Sequence, residues 1–276
     1  MRQHIFYGAA YHWFVMFWNW RYPSFRTHRA LPVHREAALY TKRLLLMPAM
    51  AAERQLRTRR IKAGGYPYHV ALLQLEHDAS FQAHSPFADM AEFIALVVDG
   101  FAKGAPAHHH LVFKAHPLEN GKVPLRRLIR AEAAKNGISD RVHYLRGGKL
   151  AHILDQARSA VTVNSTAGQQ VLWRGIPLKS FGTAVYNKPE FISDQPLSAF
   201  YTDPRRPDAV AYRDYRQFLL ETSQVPGGFY SRAGRRQLLR MVTDMMLSAL
   251  SPYEALTQHP APVRPAMRVV RKGRRG

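Results

Sequence analysis

The chain has 276 residues, 46% of them hydrophobic, with 40 Lys and Arg against 19 Asp and Glu, a formal charge of +21, and no cysteine. The hydrophobic share suffices for one large or two modest packed domains and excludes a disordered chain, while the missing thiols exclude disulfides, thiolate metal sites and cysteine nucleophiles and fit a reducing compartment. The positive balance asks for an anionic partner (nucleic acid, membrane surface or phosphorylated sugar) without choosing among them.

In chain order, residues 5–20 (IFYGAAYHWFVMFWNW) form the most apolar stretch. It falls short of the ~20 apolar residues that span a bilayer and lacks the plan of a cleavable signal, so it reads as a buried or interfacial helix. Residues 1–63 read as helical throughout, with Pro32 and Pro48 expected to break the helix into pieces. The run RQLRTRRIK at residues 54–62 and the run RPAMRVVRKGRR at 264–275 are the densest basic segments, read as solvated or disordered faces. Gly64-Gly65-Tyr66-Pro67 marks a boundary.

Beyond it, strand-like and helix-like segments alternate, the pattern of a parallel sheet covered on both faces. Strands are predicted at residues 69–75 (HVALLQL), 110–114 (HLVFK), 142–145 (VHYL), 160–164 (AVTVN) and 177–181 (PLKSF), with helices at 86–101, 125–136, 149–157 and 168–174 between them. Helices at 209–221 and 234–250 follow, separated by a Pro-Gly-Gly turn at 226–228. The expected division is 1–63 helical, 64–250 Rossmann-like and 251–276 a basic, disordered tail. Ligands of such sheets bind beyond the carboxyl ends of the strands, which singles out the loops at residues 76–85, 115–123, 146–149, 165–168 and 182–188.

Three of these loops carry candidate chemistry. In Lys114-Ala115-His116-Pro117 a histidine at a strand end can donate to a phosphate oxygen, with Lys114 adding charge and Pro117 stiffening the turn; packing or capping is the alternative. In Asn164-Ser165-Thr166-Ala167-Gly168 the hydroxyls and backbone N–H groups at a helix start suit an anion, or simply cap the helix. After the first strand, Glu76 and Asp78 are candidates for a general base, or solvated carboxylates. Residues 181–186 and 194–196 fall on the same edge as candidate base or sugar contacts.

Taken together, the stretches LQLEHDASFQAHS (73–85), FKAHP (113–117), VTVNSTAG (161–168), RGIPLKSFGTAVY (174–186) and PGGFY (226–230) resemble the bacterial capsule polysaccharide biosynthesis family, related to β-Kdo transferases that use cytidine nucleotides. The resemblance implies an α/β fold in which the Rossmann-like parallel sheet is the C-terminal half of a GT-B glycosyltransferase. It implies a phosphate of a CMP-sugar donor held by His116, Asn164, Ser165, Thr166 and Gly168 with Lys114 in support, and Asp78, then Glu76, as the base. It implies no cofactor or metal, and an anionic glycan or glycolipid acceptor. The anionic membrane surface and the capsule export machinery are further expected partners, at the cytoplasmic face of the inner membrane. No specific nucleic-acid partner is expected, because the basic runs come with no recognisable module. An enzyme of that kind carries a complete N-terminal acceptor domain. Residues 1–63 are accordingly read as its helical remnant, and much of that domain is expected to be missing, leaving residues 11–22 with exposed apolar surface.

Overall fold

The computed structural model describes residues 2–22, 24–25, 32–119, 121–228 and 232–258. Contacts group the chain into two units, residues 1–213 and 214–276. The helical N-terminal stretch belongs with the sheet in the first unit, so residue 64 marks a change of secondary structure rather than the edge of a compact body.

The first unit is built on five strands, β1 (Tyr68–Leu72), β2 (His110–Lys114), β3 (Val142–Leu145), β4 (Ala157–Thr162) and β5 (Leu178–Ser180), all parallel in the order β3-β2-β1-β4-β5. The chain adds β2 and β3 on one side of β1, then crosses to place β4 and β5 on the other, so the order reverses between β1 and β4. β1 is buried along its whole length, as a central strand covered on both faces must be. One face, with Ala71, Leu111, Phe113 and Val161, packs on Phe93, Ile94, Val97 and Phe101 of α4 (Met90–Gly104), on α5 (Leu125–Lys135) and on Phe200 and Tyr201 of α8 (Leu197–Thr202). Each fully buried phenylalanine of this set contributes on the order of 2 kcal/mol of transfer free energy. The other face meets α6 (Ala151–Leu154), where the Tyr68 hydroxyl donates to the Ile153 carbonyl at 2.6 Å, and α7 (Gly168–Leu172).

The start of α4 is set by its cap. Asp89 accepts from the Glu92 N–H at 3.0 Å, and Glu92 reaches back to the Ala88 N–H at 2.9 Å, a reciprocal pair that satisfies two otherwise orphaned donors. The start thus lies at Met90 rather than at residue 86.

Pro48 does not break the N-terminal helix: α2 (Val33–Ala63) runs through it. The helix is instead fastened by tertiary contacts. Buried Glu36 pairs with Lys122 at 3.0 Å, and the Arg43 guanidinium donates to the Pro117 carbonyl at 3.0 Å. Against α2 lies α1 (Arg2–Trp18), with His12 buried, Tyr40 closing over Gly8, and the Trp13 indole donating to Thr41 at 2.8 Å. Only that stripe is covered; Phe14, Phe17, Trp18 and Tyr22 stay about half exposed, and Trp20 more so. None of the described helices is long and apolar enough to cross a membrane.

Two short helices sit where loops were expected, α3 (Ala79–His84) and α8. α6 is shorter than predicted, because β4 already begins at Ala157. α9 (Ala209–Thr222) leads into the second unit, which holds α10 (Arg232–Leu247) and α11 (Pro252–Gln258). The expected tail thus begins with a helix, while the basic run at 264–275 and residues 229–230 of the PGGFY stretch lie outside the described residues.

Candidate functional site

Every candidate residue lies at the carboxyl edge of the sheet. β1 delivers Glu76 and Asp78, β2 delivers Lys114 and His116, and β4 delivers Asn164 to Gly168. This is the reversal point of the strand order, where the loops of β1 and β4 diverge and leave a crevice.

His116 has the clearest geometry. Its Nδ1 accepts from the Leu118 N–H at 3.2 Å, which places the proton of the neutral ring on Nε2 and makes that nitrogen a donor. Burial pushes its pKa down while the Asp78 carboxylate pulls the other way, and Lys114 adds to the lowering. A largely neutral imidazole with one donor results, beside a carboxylate. Lys114 ends β2 with its ammonium donating to the Ala115 carbonyl at 3.1 Å. Burial, reinforced by Arg54, lowers its pKa to about 8, so it still carries its charge at pH 7.

The two acidic candidates separate. Glu76 accepts from the Met90 N–H at 3.0 Å and so tethers the start of α4. Asp78 occupies the N-cap position of α3 but its side chain makes no capping bond; it is half-buried and acts on His116. Of the pair, Asp78 is the one whose carboxylate is open to a substrate.

Asn164 is engaged inside the protein on every side. Its Oδ1 accepts from Gln74 Nε2 at 2.7 Å, its backbone N–H donates to Gln74 Oε1 at 2.9 Å, and its Nδ2 donates to the Ser80 carbonyl at 2.7 Å. It positions the β1 and β4 loops against one another. Ser165 is buried, its hydroxyl accepting from the Ala167 N–H at 3.2 Å, whereas Thr166 is exposed. Gly168 is fixed by packing: a Cβ there would lie 2.6 Å from the Tyr186 hydroxyl oxygen and ring. That hydroxyl donates to the Ser165 carbonyl at 2.6 Å, and Tyr186 is 1% exposed. Tyr186 therefore buttresses the turn from below, and the expectation that it meets a base or sugar is corrected by its burial. Asp194, from the other expected contact segment, is exposed and pairs with Arg205 at 3.6 Å.

β2 and β4 flank β1, so their ends stand about two strand spacings, roughly 10 Å, apart. His116 and the Ser165-Thr166 turn therefore approach the crevice from strands on either side of β1.

The sequence reading missed the wall opposite. α2 crosses the ends of β2 and β3 and closes a cleft of about 340 Å3, lined on its own side by Met47, Pro48, Met50 and Ala51 and on the far side by His116, Glu119, Arg146 and the Gly147-Gly148 turn. Arg54, taken as part of a solvated run, turns into this cleft with Arg43. The signal was there in the paired glycines at 147–148, both with positive φ, which fall in a loop already singled out. Among the described residues no three His, Asp or Glu side chains gather as a metal-binding set.

An open parallel sheet with its polar, titratable groups gathered on loops at the reversal point defines the Rossmann-like class of α/β ligand-binding proteins. Within that class the chain belongs to the capsule polysaccharide biosynthesis protein family, whose model matches residues 5–230. It is 29% identical over 230 residues to the capsule polysaccharide export protein KpsS of Escherichia coli, covering 81% of this chain and 58% of that one. It is 28% identical to the capsule polysaccharide modification protein LipB of Neisseria meningitidis serogroup A, covering 82% and 54%. The chain therefore spans a little over half the length of these relatives. Among solved structures, the β-Kdo 2,7 transferase of Thermosulfurimonas dismutans KpsC aligns over 68% of each chain at 17% identity and a TM-score of 0.34, too loosely to carry an argument about chemistry.

Proposed function

We propose that the chain is the donor-binding half of a GT-B glycosyltransferase of capsule assembly. It transfers Kdo or a similar sugar from a CMP-sugar, with inversion, to a lipid-linked or growing anionic glycan. The observation that carries this reading is the placement of Asp78, Lys114 and His116 just beyond the carboxyl ends of the adjacent strands β1 and β2, in a chain of the capsule polysaccharide biosynthesis family.

In this mechanism Asp78 takes the proton from an acceptor hydroxyl as its oxygen attacks the anomeric carbon, and the bond to the CMP phosphate breaks on the opposite side. His116 Nε2–H and the Ser165-Thr166 turn donate to the phosphate oxygens, Lys114 supplies a nearby positive charge, and together they stabilise the negative charge that departs with CMP. Gly168 lets the turn sit close on Tyr186, and Asn164 holds the two loops in register. Glu76 acts at one remove, by fixing the start of α4. No metal or cofactor takes part in the proposed steps, which run at the cytoplasmic face of the inner membrane with the basic surface toward anionic headgroups.

The test is incubation of the protein with CMP-Kdo and a lipid-linked acceptor, comparing wild type with Asp78→Ala and His116→Ala. Transfer by wild type and its loss in both variants is the expected result. CMP binding without transfer would favour a second reading, a non-catalytic assembly or export component, which draws support from the name of one relative. Absence of CMP binding would sink the donor assignment altogether.

A further inference from the structure

The cleft beneath α2 holds charges that the donor reading leaves without a role. Arg43, Arg54 and Arg146 line it, with Glu119 as its one lining carboxylate, and Glu119 already accepts from the Gly121 N–H at 2.7 Å. Among the described residues no carboxylate stands within ion-pairing distance of Arg54 or Arg146. A short way along α2 the situation is the opposite, with Arg57 and Arg126 sharing Glu53 at 2.9 and 3.6 Å. Arg54 and Arg146 also border the small cavity around that carboxylate but lie outside ion-pairing distance of it. The cations feel one another: burial lowers the pKa of Arg43, Tyr40 and Glu119 oppose it, and Arg146 adds a smaller lowering, while Arg54 adds to the lowering of Lys114 after burial.

The backbone is shaped to present Arg54. Gly148 lies at a φ of 89°, and a Cβ on it would sit 2.6 Å from Arg54 Cδ, so the turn after β3 admits the arginine stem only because it has no side chain. The guanidinium groups of Arg54 and Arg146, with no carboxylate in ion-pairing distance and in a cleft wide enough for a ligand group, match the fork geometry of a phosphate or carboxylate, while Arg43, held by the Pro117 and Leu118 carbonyls, adds its charge nearby. Position separates this cleft from the Ser165-Thr166 turn. It lies at the ends of β2 and β3, and β3 stands three strand spacings, roughly 14 Å, from β4, so the cleft and the turn are separate regions of the sheet edge, with His116 lining the cleft on the side toward the turn.

We propose that the cleft formed by Arg43, Arg54 and Arg146 is a second oxyanion site, which takes a phosphate or carboxylate group of the acceptor beside the donor phosphate. The assignment to the acceptor rests on the donor reading; the existence of the site does not.

Calorimetric titration of the whole chain with inorganic pyrophosphate, with and without saturating CMP, tests it. Wild type binds pyrophosphate equally well in both conditions. Arg54→Gln and Arg146→Gln each weaken it by about tenfold, and Gly148→Ala, which displaces Arg54 without removing charge, weakens it as well. Arg59→Gln, which removes one charge from the exposed side of the same helix, changes it less than about twofold. CMP affinity is the same in all four variants. Equal weakening by Arg59→Gln overturns the site in favour of diffuse charge, and displacement of pyrophosphate by CMP overturns its independence from the donor. Competition identifies the source: displacement by anionic phospholipid vesicles but not neutral ones assigns a lipid-linked phosphate, and displacement by a soluble carboxylated oligosaccharide assigns the glycan. Displacement by neither overturns the acceptor assignment. If pyrophosphate binds through Arg54 while CMP does not bind at all, the donor reading fails and the cleft stands.

Discussion

The two ends of the sheet both carry histidines, and they treat them in opposite ways. At the amino end, His69 is fully buried between Ser159 Oγ at 2.7 Å and His109 Nδ1 at 3.0 Å, and His110 Nδ1 meets His143 Nε2 at 2.8 Å under the stacked ring of Tyr66. Both ring nitrogens of His69 have partners inside the protein, and His110 and His143 bond to one another between β2 and β3, so these groups cement strands. At the carboxyl end His116 has only Nδ1 so engaged and lines a cleft with its neighbours. Strand-end histidines are ambiguous in sequence; what distinguishes a cementing from a working one is whether the second nitrogen meets another strand or open space.

Breaking the carboxyl end alone should abolish chemistry and spare the fold. Asp78→Asn, a near-isosteric change at an N-cap position where the side chain makes no cap bond, is expected to lower the transfer rate by about 10²–10⁴-fold. The unfolding free energy should move by less than about 0.5 kcal/mol; single-turnover kinetics and urea unfolding read the two quantities. Breaking the amino end should do the reverse. His69→Ala leaves a cavity and two unpaired buried groups, a loss of about 3 kcal/mol in stability, with CMP affinity of the folded fraction unchanged. An equal loss of CMP affinity would mean that the two ends are not separate in role.

Gly168→Ala sits between the two cases. Its Cβ would press on Tyr186, costing about 1–3 kcal/mol as overpacking while tilting the Ser165-Thr166 turn. Thermal unfolding and CMP titration should both respond, and Tyr186→Phe in the same chain should restore part of the stability by removing the hydroxyl.

The most gradual effect is a pH slope. Burial first, then neighbouring positive or histidine groups, lowers His69 to about 3 and His109 and His143 to about 4, below the ordinary value near 6.5 that the unfolded chain keeps. Between those values the unfolded state binds more protons, so stability is complete above about pH 6.5 and falls as the solution is acidified. His69 alone contributes a slope of up to about 1.4 kcal/mol per pH unit. Urea midpoints between pH 7 and 5 should show it, with a shallower slope in His69→Gln.

Much of this was legible in the sequence. β2 and β3 lie where HLVFK and VHYL place them, because short apolar runs bounded by Gly and Pro leave little choice. β1 stops at Leu72 although residues 73–75 stay buried; burial is visible in an apolar run, the end of a hydrogen-bonded ladder is not. α3 and α8, six residues each, are too short to show a period. Pro48 misled because a lost backbone hydrogen bond can be outweighed by contacts such as Glu36 to Lys122, whose partners are 86 residues apart. The separation of Asp78 from Glu76 was likewise hidden, since it depends on Met90 accepting or refusing one of them as a neighbour.

The clamp of Gln74, Asn164 and Ser80 extends the sheet beyond its last rung. Gln74 bonds both the backbone and the side chain of Asn164, and Asn164 passes the connection on to Ser80. The loops after β1 and β4, which carry Asp78 and Ser165, therefore cannot fray one at a time. In hydrogen exchange their amides should open as a single cooperative unit with a common rate, and a ligand that slows exchange in one loop should slow it equally in the other.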